Sequence, residues 1–578
     1  MKKRYSEFLT SLMRMWIVPA LSYFIFFCVL TYPLIFLFHT HFFADAGDGL
    51  QNIWNIWWIN KAVTELHQSP WYTTYLHYPK GTSLLGQTLN PFNGFLGIPL
   101  LQFLTLIETH NVIVLFSFIV GGLTTFWLAY FITKSYWSSL IAGYIFTFSQ
   151  FHFAHAEGHL QLVSLEWIPL FVLCWYRLII NPSVFKAFIA AVVLFCVLLC
   201  DYYYFLYCVL TGILILLWYA IKNKDFRLFL KRTYLIPFSI FILVSSMSSG
   251  ILVASLLRLN ARDPLIGAHD PLELSLDVLA PFIPGGHWGF SQLTKFYWSR
   301  LTCNIHESSV YIGWSVILLI CYTWCKRREI RLRYPSFFLW YGILFFFGIM
   351  ALGPALHVSG VRVFTGIMPY SLLQALLPPL KLSGTPIRMM VMVMLGASMI
   401  SAMGLPLLFQ RIRSERIRIF VGIILGLMLF VEFLPKPLPT TRISAPEYIY
   451  LLKSLPTNGG LIDMITPPTI KLYYQTIHDK PIADGYISRY PTSVMTEDNE
   501  KVQSIQAQDY RALMEKYNIH YILTSSKIMR NSGDTDLLKP LYEHNTVALF
   551  QIQKNKLSAE ENNHDIRKNK EIIEGRLQ

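Results

Sequence analysis

Stretches of roughly 20 apolar residues recur along most of this chain, and a segment of that length crosses the hydrocarbon core of a bilayer as a helix. The windows that qualify run from Trp16 to Phe38, Val112 to Ile132, Ser138 to Phe151, Val163 to Leu178, Ala187 to Cys200, Tyr204 to Ile221, Tyr234 to Leu257, Ser309 to Cys325, Ser336 to Leu352, Met389 to Phe409 and Ile419 to Leu434, about 11 in all. Because 54% of the residues are hydrophobic and only 14% charged, the composition excludes a soluble globule. The first window is too long and too aromatic for a signal-peptide core and no small-residue cleavage site follows it, so it reads as a retained anchor. The chain is read as an all-α polytopic membrane protein.

Basic residues set the orientation. With Lys2, Lys3, Arg4 and Arg14 in the cytoplasm, the threading also places Lys222, Lys224, Arg227, Lys231 and Arg232 there. The clusters Lys326 to Arg333 and Arg411 to Arg418 fall on the same side. One topology satisfies every cluster. The formal net charge of +14 therefore sits mostly in short loops, where it fixes topology and meets anionic lipid. No nucleic-acid motif accompanies it, which excludes a DNA or RNA partner.

The same threading sends acids and histidines outward: Asp45, Asp48, the turn His152 to His159, Asp201, Arg262, Asp263, His269, Asp270, Glu273, Asp277, His287, His306, Glu307 and Lys381. Ionisable residues at a membrane face mark function, so the site is expected there. The cysteines show neither a disulfide framework nor metal spacing, with only Cys303 in an outer loop.

Residues 1–434 are expected to form the membrane domain, with 39–111 as its first outer loop. Pro435, Pro437 and Pro439 mark a boundary, after which 435–556 reads as a small outer α/β domain. There, Ser444 to Glu447 has the form of a capping box opening a helix through Leu455. Strands are predicted over Leu461 to Thr466, Ile519 to Leu523 and Val547 to Ile552, with a helix from Lys501 to Tyr517. The charged tail, 557–578, carries no packing signal.

Four features carry chemistry. Asp45 and Asp48 follow the first span, although Asp48 with Gln51 also has the form of a helix cap. Leu50, Ile53, Trp54 and Trp57 share one helical face and read as an interfacial helix on the outer leaflet. His155 and His159, spaced i, i+4 around Glu157, have metal-ligand spacing, but polar residues at a membrane exit are more often simply solvated. Arg388, near Lys381 at the start of the tenth span, suits a phosphate because its planar fork donates twice. A snorkelling anchor is the equal alternative.

These features together resemble the GT-C class of integral membrane glycosyltransferases, through the Gly47-Asp48 segment with Gln51 and its tryptophans, the His155-to-Gln161 turn before Trp167-Ile168-Pro169, and Ser383-Gly384-Thr385-Pro386-Ile387-Arg388. The resemblance implies transfer of a sugar, with inversion, from a polyprenyl-phosphate carrier to an extracytoplasmic glycan, lipid or protein at a bacterial inner membrane. It implies that Asp48 deprotonates the acceptor, with Asp45 supporting it and Glu157 as the acid of the next loop. Arg388, Lys381, Arg262, His155, His159 and Gln51 would bind substrate. A divalent metal would fall to Asp48, Glu157 and His155. There is no adjacent pair of acids, and the second motif is rich in histidine.

Glycosyl transfer needs a carboxylate near the acceptor hydroxyl and cations near the departing phosphate. A lipid-linked donor brings its leaving group to the membrane, so no nucleotide loop is required. The alternative is a transporter or lipid flippase. Transporters place charge near the midplane and often repeat internally, whereas here charge clusters at the outer mouths and no repeat is evident. A catalytically silent relative that presents its outer domain to partners is a third reading.

Overall fold

The computed structural model describes residues 9–382, 384–525 and 537–553. Ser383 and the charged tail thus lie outside the described residues. The chain forms two compact units. The first comprises Met1–Asp45, Asn90–Leu257 and Ala268–Arg442, and the second Ala46–Leu89, Arg258–Gly267 and Ile443–Gln578.

Each predicted window in the first unit contains a helix. Among the described residues, five helices are long and apolar enough to cross a membrane: Leu9–Leu30, Leu106–Thr133, Tyr202–Asn223, Arg232–Arg262 and Pro386–Arg411. The bent pair Arg327–Arg333 and Phe337–Ala351 makes a sixth if it is one span. The expectation of about 11 spans is thereby reduced, since Trp167–Ile180, Val184–Cys200 and Trp314–Cys325 are apolar but shorter. The cause is local. The window from Val163 runs through a non-helical turn at Ser164 and Leu165, and that from Ser309 runs through an extended approach to Gly313. Hydropathy alone does not register such breaks.

The helix ends are written in short polar side chains. Thr105 and Glu108 form a reciprocal capping box that opens Leu106–Thr133, and Ser183 caps Val184–Cys200. The Asp201 carboxylate accepts from the Tyr203 and Tyr204 amides, which makes this outer acid a cap. In Pro386–Arg411, sixteen consecutive residues, Met390 to Leu405, are buried. A helix apolar all round belongs at the centre of a bundle, and this one is there. The first helix docks through Tyr23, whose ring lies where a Cβ at Gly122 would sit 2.6 Å away, and whose hydroxyl donates to the Leu140 carbonyl at 3.0 Å. Any side chain at Gly122 would expel that ring.

The second unit holds a four-stranded sheet: β1 (Gly460–Asp463), β2 (Ile519–Ser525), β3 (Leu538–His544) and β4 (Val547–Ile552), in the order β1-β2-β4-β3. β1 is parallel to β2, and the remaining pairs are antiparallel. The predicted helix over Lys501 to Tyr517 is two, Thr492–Gln506 and Tyr510–Glu515, because Asp509 caps the second. Glu447–Ser454 begins after Pro446 without a side-chain cap, so Ser444 is no capping residue.

The segment expected on the outer leaflet belongs instead to the interior of this unit. In the helix Asp48–Asn60, Leu50, Ile53, Trp54 and Trp58 are buried. Trp54 and Trp58 stack at 5.8 Å, Trp54 Nε1 donates to Gln475 Oε1 at 2.7 Å, and Trp58 Nε1 donates to the Pro70 carbonyl at 3.0 Å. Lys61 reaches Asp479 at 2.7 Å, and the Ile482 amide donates to the Tyr75 carbonyl at 2.9 Å. Residues 46–89 are thus part of the same body as the carboxy-terminal domain. An amphipathic tryptophan face reads alike whether lipid headgroups or protein cover it.

Candidate functional site

The turns at one end of the first unit's helices gather its acids and histidines. Glu157 follows the short helix Gln150–Ala156, and its carbonyl accepts from the Asp45 amide at 2.7 Å. The Asp45 carboxylate lies over Gly158, so close that a Cβ there would stand 2.9 Å from Oδ2. Two loops distant in sequence close on this turn. The Lys436 amide donates to the His287 carbonyl at 2.9 Å and the Gly289 amide to the Leu434 carbonyl at 2.7 Å, while Gln150 Oε1 accepts from the Gly285 amide at 3.2 Å. This pairing fixes His287.

Around the Glu157 carboxylate, His287 Nε2 lies 3.1 Å and Lys436 Nζ 3.4 Å from Oε1, with His306 Nδ1 3.6 Å from Oε2. Burial raises the Glu157 pKa, but His287, Lys436 and His306 outweigh it and hold the group below the ordinary carboxylate value. Burial lowers His287 despite the opposing effect of Glu157. It lowers His155 well below the usual imidazole value, helped by His159 and Arg388. At neutral pH, Glu157 is therefore ionised while His287 and His155 are neutral.

A second group adjoins the first. Arg388 is buried at the start of the central helix and meets the carboxylate of Glu307 through its fork: Nε donates to Oε1 at 2.9 Å and to Oε2 at 3.1 Å, and Nη2 donates to Oε1. Its guanidinium also lies 4.9 Å from the Tyr203 ring centroid. Burial raises Glu307, but Arg388 more than compensates and its pKa falls below the ordinary value. His155 Nε2 lies 3.9 Å from Glu307 Oε2, His155 and His159 join through Nδ1 atoms 3.1 Å apart, and the rings of His159 and His306 approach to 5.8 Å. The two groups form one continuous polar patch.

Of the residues singled out in the sequence, Asp45, Glu157, His155, His159 and Arg388 come together in this unit. Arg388 differs from the open clamp expected, because Glu307 occupies its fork. Lys381 is exposed on the turn Pro378–Leu382. The second unit holds Asp48, Gln51 and Arg262. Asp48 is the first helical residue rather than the cap, which is Gly47, and its Oδ1 accepts from the Tyr486 hydroxyl at 2.7 Å. Gln51 Oε1 accepts from the Thr88 hydroxyl at 3.3 Å, so the predicted box does not form. Arg262 is exposed at a helix end. Among the described residues, the side chains that converge with metal-ligand spacing are Glu157, His287 and His306, all within 4.8 Å. His155, expected in that set, is instead tied to His159.

Sequence reasoning passed over His287, His306, Glu307 and Lys436 as site residues. The first three were recognisable as outward-facing ionisable groups, but no local motif links them to Glu157.

No protein-family model matches the sequence, and neither does any curated protein. Among solved structures, the fold is similar to the arabinofuranosyltransferase AftD from mycobacteria, with a TM-score of 0.54 and 13% identity over 93% of this chain and 40% of that one. A mutant of that protein gives 0.53 and 12% over 93% and 41%. An oligosaccharyltransferase of Archaeoglobus fulgidus in its apo form gives 0.43 and 11% over 88% and 69%. The chain spans about two fifths of the mycobacterial protein's length. The likeness is one of fold, to part of a membrane-embedded arabinofuranosyltransferase.

Proposed function

We propose that this integral membrane protein transfers a sugar from a polyprenyl-phosphate carrier to an acceptor outside the cytoplasm, with inversion, at a bacterial inner membrane. The observation that carries the reading is Glu157, ionised and buried beside His287 and Lys436, next to the Glu307–Arg388 pair, at the ends of apolar helices in a GT-C fold. A buried, structured array of charge at the mouth of such a bundle suits a reaction in which negative charge moves onto a phosphate at the membrane face.

In the proposed reaction a carboxylate takes the proton of the acceptor hydroxyl, the acceptor oxygen bonds to the anomeric carbon, and the bond from that carbon to the phosphate oxygen breaks. Polyprenyl phosphate leaves with the electron pair. By the sequence resemblance alone, Asp48 is assigned as the base, with Asp45 in support. Glu157 organises His287 and His306. Lys436 and Lys381 are the cations offered to the leaving phosphate, with His155 and His159 as further contacts to substrate; Gln51 and Arg262 keep such a role by the sequence resemblance alone. Arg388, already paired, is a positioning residue for Glu307.

The test is purified protein in liposomes with a radiolabelled polyprenyl-phosphate sugar and an extracytoplasmic glycan as acceptor. Labelled acceptor and free polyprenyl phosphate should appear in equal amounts, and Glu157→Gln should abolish both. Movement of lipid or solute across the vesicles without consumption of lipid-linked sugar would establish the transporter reading in its place.

A further inference from the structure

We infer that Glu157, His287 and His306 form a binding site for a single divalent cation of the zinc type. Oε1 of Glu157 and Nε2 of His287 are buried and stand 3.1 Å apart, and neither makes a hydrogen bond of good geometry, although the Lys436 ammonium lies 3.4 Å from the same Oε1. His287 is 1% exposed and Glu157 5%. A buried carboxylate oxygen and ring nitrogen that face each other without an aligned proton offer two donors to a cation placed between them.

Ligands about 2.1 Å from a tetrahedral zinc ion lie about 3.4 Å from one another; Glu157 meets His287 at 3.1 Å through Oε1 and His306 at 3.6 Å through Oε2, and one ligand atom from each of the three residues lies within 4.8 Å of the others, a set that a small movement of the side chains would close around the ion. One carboxylate and two imidazoles are a borderline-soft donor set that suits zinc rather than magnesium or calcium. The site is also braced from behind. Nδ1 of His287 pairs with Ser309 Oγ at 2.8 Å, the outer contact by which a metal-binding imidazole is oriented. The His306 contact to the Ala154 carbonyl, at 3.2 Å, is long and would yield to the cation.

Lys436 competes. Its ammonium lies 3.4 Å from the same Oε1 and is one-third exposed, 34%, so it neutralises Glu157 when the cation is absent and can turn to water when the cation binds. Removing that ammonium should therefore tighten the site. Three protein donors leave one tetrahedral position for a solvent or ligand oxygen.

The test is zinc binding by the full chain in detergent, stripped with chelator and titrated with zinc chloride against a chromophoric competitor, with bound metal counted by mass spectrometry. The wild type should retain one zinc ion per chain, unmoved by millimolar magnesium or calcium. His287→Ala should retain none. Ser309→Ala, which leaves all three donors in place, should weaken zinc by about 10–100-fold, and Lys436→Met should strengthen it. Size-exclusion profiles establish that each variant is folded. No retained zinc in the wild type, equal retention in His287→Ala, or unchanged affinity in Lys436→Met would overturn the inference. It does not rest on the transferase reading: zinc bound without sugar transfer removes only that reading, and transfer without zinc removes only this one.

Discussion

Arg388→Met and Glu307→Gln, singly and together, ask whether the buried pair is held by mutual neutralisation. Both groups are nearly inaccessible, at 6% for Arg388 and 2% for Glu307. Each single variant strands one charge in a site that water does not reach, and the cost of breaking a buried pair in this way is about 3–5 kcal/mol. The double variant strands neither. It loses the attraction of the guanidinium for the Tyr203 ring, about 2 kcal/mol when desolvated, so its total loss should stay under about 3 kcal/mol against about 6–10 kcal/mol if the two singles simply added. Unfolding in mixed micelles with increasing SDS, followed by tryptophan fluorescence, reads these differences. Because the folded pKa of Glu307 is depressed, its stabilisation is complete above the unfolded carboxyl value and lost as pH falls through the depressed one. Glu307→Gln should remove that acid-dependent part. An additive double variant would refute the reasoning, since it would mean that each side chain is held by separate contacts.

Three further outcomes are expected. A reporter fused after Leu455 should be extracytoplasmic and one fused at Lys224 cytoplasmic, as read by alkaline phosphatase and fluorescent-protein activity; the reverse pattern would undo the placement of the site. Asp48→Asn retains an oxygen that can accept from the Tyr486 hydroxyl but cannot take a proton, so the protein should fold normally and lose transfer by at least about 100-fold; full activity would move the base to Asp45. Gly158→Ala places a methyl group 2.9 Å from Asp45 Oδ2 and should displace that carboxylate, lowering transfer at least about tenfold with little effect on folding. Unchanged transfer there would remove Asp45 from the site.

How much of this fold is legible in the sequence depends on which interactions are local. The helices of the first unit are, because their apolar runs and caps lie within a few residues: Thr105 with Glu108, Asp201 with Tyr203, Ser414 with Ile417. Span lengths are not, since the breaks at Ser164 to Leu165 and before Gly313 are surrounded by apolar residues. The placement of residues 46–89 is also invisible, because Trp54 finds Gln475 and Lys61 finds Asp479 more than 400 residues away. Both partners are polar side chains in a segment that reads as an ordinary surface helix.

The site divides along the same line. Glu157, His155 and His159 announce themselves because a single turn carries them, whereas His287 reaches Glu157 only through the pairing of 287–289 with 434–436. Without that pairing, the three histidines nearest in sequence are the natural ligand candidates, and His155 is chosen rather than His287. Arg388 shows the same effect with the opposite consequence. A buried guanidinium with no visible partner has to be read as waiting for a ligand, and phosphate is the obvious one. Once Glu307 is found in its fork, Arg388 is no open cation, and the more exposed cation of the patch is Lys436, a residue whose local sequence, Pro435-Lys436-Pro437, looks like nothing more than the end of a helix. The chemistry of the patch is therefore set by which carboxylate each cation meets, Glu307 for Arg388 and Glu157 for Lys436, and that assignment exists only in the folded chain.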